Sequence, residues 1–231
     1  MIEPTKPRID KAKCTSCFQC VEVCETQGIV VYGKYVTVDE VMEEVEKDKT
    51  FYKNSGGGMT ITGGDPTAQP DFCLALLKAA KDRGINTCLD TNGYAKWEIY
   101  ENMIDHVDWF LWDIKNMDPQ AHKDWAGVSN ERILENARKL AQRAKMRIRI
   151  PIIPNTNDSE ENLTKTAEFI ESLGSNVVGV DLLPYHPYAG AKYRLFCLDY
   201  PFPIGEGYDE DRVIEMMKIF EPHAAEVTIG G

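Results

Sequence analysis

Residues 51–69 read FYKNSGGGMTITGGDPTAQ, and the rest of the chain is organised around them. Gly56 to Gly58 and the pair Gly63–Gly64 bracket the short β-prone run Met59-Thr60-Ile61-Thr62, so the backbone turns tightly at both ends of a predicted strand. A glycine pair at a strand end lets a ligand come close to the main chain. Asp65 adds a carboxylate there, and Pro66, which lacks an N–H, stops the strand from continuing. The plainer reading is a strand-to-helix turn whose glycines serve the backbone dihedrals alone. The neighbouring segments decide between the two.

Outward from that stretch, strand and helix patterns alternate. The spacing predicts helix 39–52 with Asp39 as N-cap, strand 58–62, helix 70–83, strand 86–90, helix 95–105 and strand 108–114. Helix 130–145, strand 146–152, helix 159–173, strand 177–183, helix 209–220 and a terminal strand near 226–229 follow. Such alternation means a parallel sheet covered by helices, an α/β fold. Residues 184–208, with four prolines and many aromatics, read as an ordered loop over one face.

In parallel α/β folds, ligand-binding groups gather at the carboxyl ends of the strands, and here those ends are polar. The second predicted strand ends in Asp90-Thr91-Asn92-Gly93. The third ends in Asp113-Ile114-Lys115, where the two-residue period puts Asp113 and Lys115 on one face. Arg147 and Arg149 alternate with isoleucines in the fourth, and so share a face that helices do not cover. The fifth ends in Pro184-Tyr185-His186. Each has a duller explanation singly: Asp90 or Asn92 as a helix cap, Asp113 and Lys115 as an ordinary ion pair. Together they would suit a small zwitterion carrying an ammonium and a carboxylate.

Cys14, Cys17, Cys20 and Cys24 form C-x-x-C-x-x-C-x-x-x-C, the bacterial ferredoxin spacing for an iron–sulfur cluster. Structural zinc is the alternative, though zinc sites usually pair two knuckles across a longer loop. In two-cluster ferredoxins the fourth cysteine ligates the other cluster, and the 231 residues contain no second run. Cys73, Cys88 and Cys197 fall in helix or strand patterns and read as core thiols. The chain is 43% hydrophobic and 27% charged, with a net charge of −11, which argues against a nucleic-acid or anionic-membrane surface. No run reaches transmembrane length and the first residues carry no apolar signal core, so a cytoplasmic protein with reduced cysteines is expected.

These segments together resemble the glycyl-radical-enzyme activating enzymes of the radical S-adenosylmethionine family. The resemblance runs from Gly33-Lys34-Tyr35-Val36-Thr37-Val38 through SGGGMTITGGDP, CLDTNGYA, WDIKNMD, the stretch from Gly127 to Leu134, RIPIIPNTND and LLPYHPYAG to the closing IGG. It implies a partial (β/α)6 barrel over residues 33–231, lacking its first strand here. Residues 1–32 would be part of a ferredoxin-like iron–sulfur insert. It implies that Gly63, Gly64 and Asp65 take the amino group of S-adenosylmethionine, with Asp65 standing where glutamate is commoner. Thr91, Asn92, Gly93, Asp113, Ile114 and Lys115 would line the cofactor, and Arg149 and His186 would contact it. Asp90 and Asp113 would help hold a monovalent cation, and the cysteine run a 4Fe-4S cluster.

The implied activity is reductive cleavage of S-adenosylmethionine to a 5'-deoxyadenosyl radical that takes hydrogen from a glycine of a partner enzyme. A flavodoxin or ferredoxin-type donor would supply the electron. The family's C-x-x-x-C-x-x-C, whose thiolates hold the cleavage cluster, is absent from these residues, since no three of the four clustered cysteines have spacings of four and then three. No catalytic residue is therefore assigned, and the chain is expected to begin inside the insert, as a truncated form or half of a split protein. Two further readings remain open: a non-catalytic iron–sulfur electron-transfer module, and a barrel enzyme binding phosphate at the Gly63 turn.

Overall fold

A computed structural model describes residues 9–10, 12–195, 198–200 and 208–230. In chain order these form α1 (Gln19–Glu22), α2 (Val38–Glu46), α3 (Lys49–Ser55), β1 (Gly58–Ile61), α4 (Pro70–Asp82), β2 (Asn86–Thr91) and α5 (Trp97–Met103). Then come β3 (Trp109–Asp113), α6 (Pro119–Ala126), α7 (Glu131–Ala141), β4 (Met146–Ile152), α8 (Glu160–Leu173), β5 (Val177–Pro184), α9 (Ala189–Leu195), α10 (Glu210–Phe220) and β6 (Val227–Ile229). Short 3-10 turns follow β1 (Pro66–Ala68) and α5 (Ile104–His106).

The chain divides into two compact units, Met1–Thr37 with Pro187–Glu206, and Val38–His186 with Gly207–Gly231. The second contains all the described strands. They make one sheet in the order β1-β2-β3-β4-β5-β6, every neighbouring pair parallel. Because the order never reverses, right-handed crossovers keep the connecting helices on one face. That is the topology of a partial (β/α)6 barrel, as expected, and not of a doubly wound sheet.

Burial follows from the two-residue period. In β4, Met146, Ile148, Ile150 and Ile152 are all buried, while Arg147, Arg149 and Pro151 between them are half-buried on the other face. Phe110 and Trp112 of β3, with Thr87, Leu89 and Thr91 of β2, continue the helix-covered layer. Leu77, Tyr100, Leu140, Phe169 and Phe220 of the helices pack onto it as one core. A smaller cluster of Met42, Met59, Leu76, Ala80 and Ile85 seats α2 beside the first strand. The other sheet face is half-exposed and polar, and it carries the candidate site.

Several expectations need adjustment. The helix expected over 39–52 is two helices broken at Lys47 and Asp48, and since α2 starts at Val38, Asp39 lies in its first turn and not at the N-cap. The segment between β3 and α7 contains α6, capped by Asp118 Oδ1 accepting from Ala121 N at 2.7 Å with Pro119 in its first turn. The stretch expected to be loop throughout 184–208 contains α9, while residues 201–207 and Cys197 lie outside the described residues. Of the two described thiols expected in the core, Cys73 is 2% exposed, but Cys88 is half-buried on the open face.

Candidate cofactor site

Parallel pairing carries every strand's carboxyl end to one rim. Gly63 to Asp65, Thr91 to Gly93, Asp113 to Lys115 and His186 all follow or close their strands there, so the residues singled out from sequence share one edge. They differ in what they can offer a ligand. Gly63 has φ +146°, a conformation that L side chains rarely adopt, and a Cβ on either Gly63 or Gly64 would meet no atom within 4 Å. Their backbone is open to an approaching group, with no hydrogen-bond partner for either glycine carbonyl among the described residues.

Asp65 is committed elsewhere. Its Oδ1 accepts from Thr67 N at 2.9 Å and from the Thr67 hydroxyl, capping the short 3-10 turn. Its Oδ2 accepts from Thr91 Oγ1 at 2.9 Å and Asn92 N at 2.8 Å. Four donors fill the acceptor sites of one carboxylate, so Asp65 ties the end of β1 to the end of β2. Because the single Thr91 hydroxyl proton goes to Asp65, the contact of 3.1 Å to Tyr100 Oη is a donation from the tyrosine. A relay Tyr100 to Thr91 to Asp65 results, and burial, with the Asp65 charge adding to it against the Thr91 bond, pushes the phenol up to about 12.

Thr91 is 2% exposed and Ile114 2%, so neither side chain is open to a ligand at the rim. Gly93, at φ +77°, has its own structural reason: a Cβ there would stand 2.4 Å from Trp112 Cζ2. These three positions can line a cofactor through their main chain only.

Charged groups fill the open face in pairs. Arg149 Nη1 donates to Asp90 Oδ2 at 2.6 Å, reaching from β4 to β2 across β3, and Thr62 Oγ1 donates to the same oxygen at 3.0 Å. Lys115 Nζ lies 3.2 Å from Asp113 Oδ2. Burial raises the Asp113 carboxyl above its ordinary value, with Lys115 and Arg149 opposing the shift. Arg147 repeats the long reach one strand further on. Its Nε donates to Asp181 Oδ1 at 2.7 Å, and its Nη1 and Nη2 donate to Glu226 Oε2 and Thr228 Oγ1 at 2.6 and 3.3 Å, across β5. Gly179 makes room for that span, since a Cβ there would sit 2.6 Å from Arg147 Nη1. The Arg147 cluster was not singled out from sequence as a ligand, although its placement on the open face was. Asp90 and Asp113, expected at a cation site, thus each hold an organic cation. His186 is exposed just past β5.

The cysteines belong to the other unit. Cys14, Cys17 and Cys20 are exposed and Cys24 is half-buried. Ser16 and Phe18, with φ of 55° and 61°, turn the loop so that Ser16 N donates to Cys14 Sγ at 3.4 Å. A backbone bond from Gln19, then one from the Thr15 side chain, lowers the Cys17 thiol, and the Thr26 hydroxyl lowers that of Cys24. Among the described residues no group of three or more His, Cys, Asp or Glu is gathered as a metal site. The donor set nevertheless suits an iron–sulfur cluster: four soft thiols at ferredoxin spacing, two of them biased toward thiolate.

A sequence model of the Radical SAM superfamily matches residues 12–170. The isethionate sulfite-lyase activating enzyme of Nitratidesulfovibrio vulgaris is 43% identical over 202 residues, which cover 86% of this chain and 64% of that protein. The trans-4-hydroxy-L-proline dehydratase activating enzyme of Clostridioides difficile is 37% identical over 255 residues, covering 96% and 84%. Among solved structures, a domain of the pyruvate-formate lyase-activating enzyme from Bacteroides vulgatus superposes with a TM-score of 0.63 at 31% identity, over 76% of this chain and 99% of that one. The chain spans under two thirds of the first of these relatives. With its sequential parallel sheet, polar rim and ferredoxin-spaced cysteines, the chain belongs to the radical SAM superfamily, in the group of activating enzymes to which these relatives belong.

Proposed function

We propose that the rim binds S-adenosylmethionine and that the whole protein is an activating enzyme for a glycyl radical enzyme. The observation that carries this is the open Gly63–Gly64 backbone standing on the same rim as Lys115, Arg149 and His186. The glycine carbonyls would accept the cofactor's ammonium, while Asp65, already saturated, would hold the Thr91–Asn92 edge against them. Lys115 or Arg149 would take the cofactor carboxylate by exchanging its present partner. When bound beside a reduced cluster, S-adenosylmethionine supplies the radical that removes hydrogen from a glycine. Names of relatives support the partner class: they activate a sulfite-lyase and a dehydratase.

Finer parts of the reading belong here too. Cys14, Cys17, Cys20 and Cys24 would hold a 4Fe-4S cluster and relay an electron from a flavodoxin or ferredoxin-type donor in the cytoplasm. Among the described residues no helix is long and apolar enough to cross a membrane. A monovalent cation between Asp90 and Asp113 would have to displace Arg149 or Lys115. The 184–208 segment would help dock the partner enzyme, and unchanged partner binding after its deletion would refute that role.

The main test is anaerobic reconstitution of the whole protein with iron and sulfide, followed by dithionite and S-adenosylmethionine. Formation of 5'-deoxyadenosine supports the activase reading. A cluster spectrum with bound cofactor but no 5'-deoxyadenosine supports the electron-transfer module instead.

A further inference from the structure

Three asparagines, each 2–3% exposed, repeat one device along the rim. Asn136, inside α7, donates from Nδ2 to the carbonyls of Gly93 and Ala95, both at 2.9 Å, in the loop after β2. Asn130, the residue before α7, donates to the carbonyls of Asn116 and Met117, both at 2.9 Å, in the loop after β3. Asn157, in the loop after β4, donates to Lys115 O at 2.6 Å and Pro151 O at 2.5 Å, joining the ends of β3 and β4. Its Oδ1 accepts from Ile153 N at 2.8 Å, and its own carbonyl accepts from Asn162 Nδ2 at 2.8 Å. Asn162 Oδ1 in turn accepts from Met117 N at 2.9 Å.

A carboxamide is suited to this task. Its two amide hydrogens lie in one plane at fixed separation, so one side chain couples two carbonyls, and being neutral it can do so while buried. Aspartate has the same shape but would set a charge against both carbonyls. Satisfying buried carbonyls is a general need, and it would be met anywhere on the fold. What distinguishes these bonds is where they fall: the carbonyls held are those of Lys115 and Gly93 themselves, and of Pro151, two residues beyond Arg149 on the same face of β4.

We propose that Asn157, Asn130 and Asn136 are positioning residues, a row of carboxamide clamps that fixes the loops after β2, β3 and β4 relative to one another and so sets where Lys115 and Arg149 stand. The proposal rests on the reading of the rim as the S-adenosylmethionine site. Asn176 supplies a control, since its Nδ2 donates to Ala141 O at 2.7 Å just ahead of β4 and β5, at the end of the strands away from the rim.

The experiment compares the reconstituted full chain with Asn157→Asp and Asn176→Asp. Calorimetric titration with S-adenosylmethionine and hydrogen exchange of segments 113–118 and 151–157 are measured beside the melting temperature. Asn157→Asp should weaken binding at least tenfold and speed exchange in both segments at least tenfold. Asn176→Asp should lower the melting temperature while leaving both readings within twofold. Affinity within twofold in Asn157→Asp would overturn the proposal, as would exchange matching that of Asn176→Asp. If the unaltered chain binds no S-adenosylmethionine, the cofactor reading fails, and exchange still decides whether the clamp orders the loops. Asn136→Asp, read at 92–96, provides the same comparison should Asn157→Asp not fold.

Discussion

Gly93→Ala should be among the more damaging single-methyl additions on the rim. The new Cβ would lie 2.4 Å and 2.6 Å from Trp112 Cζ2 and Cε2, and Trp112 is fully buried with nowhere to retreat. Overpacking of this kind costs about 1–3 kcal/mol, and holding an L residue at φ +77° adds about 1–2 kcal/mol. A combined loss of about 3 kcal/mol should lower the melting temperature by roughly 6–12 °C in a domain of this size. Urea unfolding followed by circular dichroism reads the free energy directly. Gly63→Ala is the comparison: it has positive φ but open space, so it should lose the backbone share alone, about 1–3 kcal/mol. The steric share can be isolated with Trp112→Phe, which removes the indole atoms nearest the new methyl. In the double-mutant cycle the two changes should couple by about 1–3 kcal/mol. Additive effects, or a loss in Gly93→Ala under about 1 kcal/mol, would refute the claim that the indole dictates glycine there.

Asp65→Asn keeps the size of the side chain but turns an amide toward donors, so the variant should lose about 2 kcal/mol in urea unfolding; unchanged stability would contradict the four-donor arrangement. Asp113→Asn should gain on the unaltered protein as pH rises. The Asp113 value is raised in the folded state, so its stabilisation is present below about pH 3.9 and lost as pH climbs through the folded value. A stability difference that is flat from pH 3 to 7 would rule this out. Cys73 should be the slowest of the described thiols to react with iodoacetamide at pH 8. Burial, with the Asp65 charge adding to it, pushes its thiol up to about 11. Mass spectrometry of the labelled peptides would expose any faster reaction.

The strands were legible because patterns such as that of β4 alternate so cleanly: isoleucines on one face and arginines on the other leave no second way to place it, while the sequential order came with the family resemblance. The rim was legible for the same reason, since parallel strands put all carboxyl ends together. What each rim residue does was less so. Thr91, Gly93 and Ile114 sit in a polar-looking motif, yet they face a core whose partners, Tyr100 and Trp112, come from elsewhere in the chain. Helix α6 could have been found from Asp118, Pro119 and Gly127, the N-cap, first-turn proline and terminal glycine of a short helix. The Asn157 contacts had no such signal, because a clamp between residues 42 apart is written in no local period.

The long reaches of Arg149 and Arg147 leave the open face self-neutralised: each arginine meets a carboxylate two strands away or on the neighbouring strand, and Lys115 meets Asp113. A zwitterionic guest therefore does not fall into a charged hole. On the proposed reading it would enter by swapping partners, its carboxylate releasing a protein carboxylate and its ammonium settling on main-chain oxygen. The number of ion pairs is nearly conserved through that exchange. Affinity at such a rim is then set by shape and by the fit of the exchange, and should depend only weakly on ionic strength.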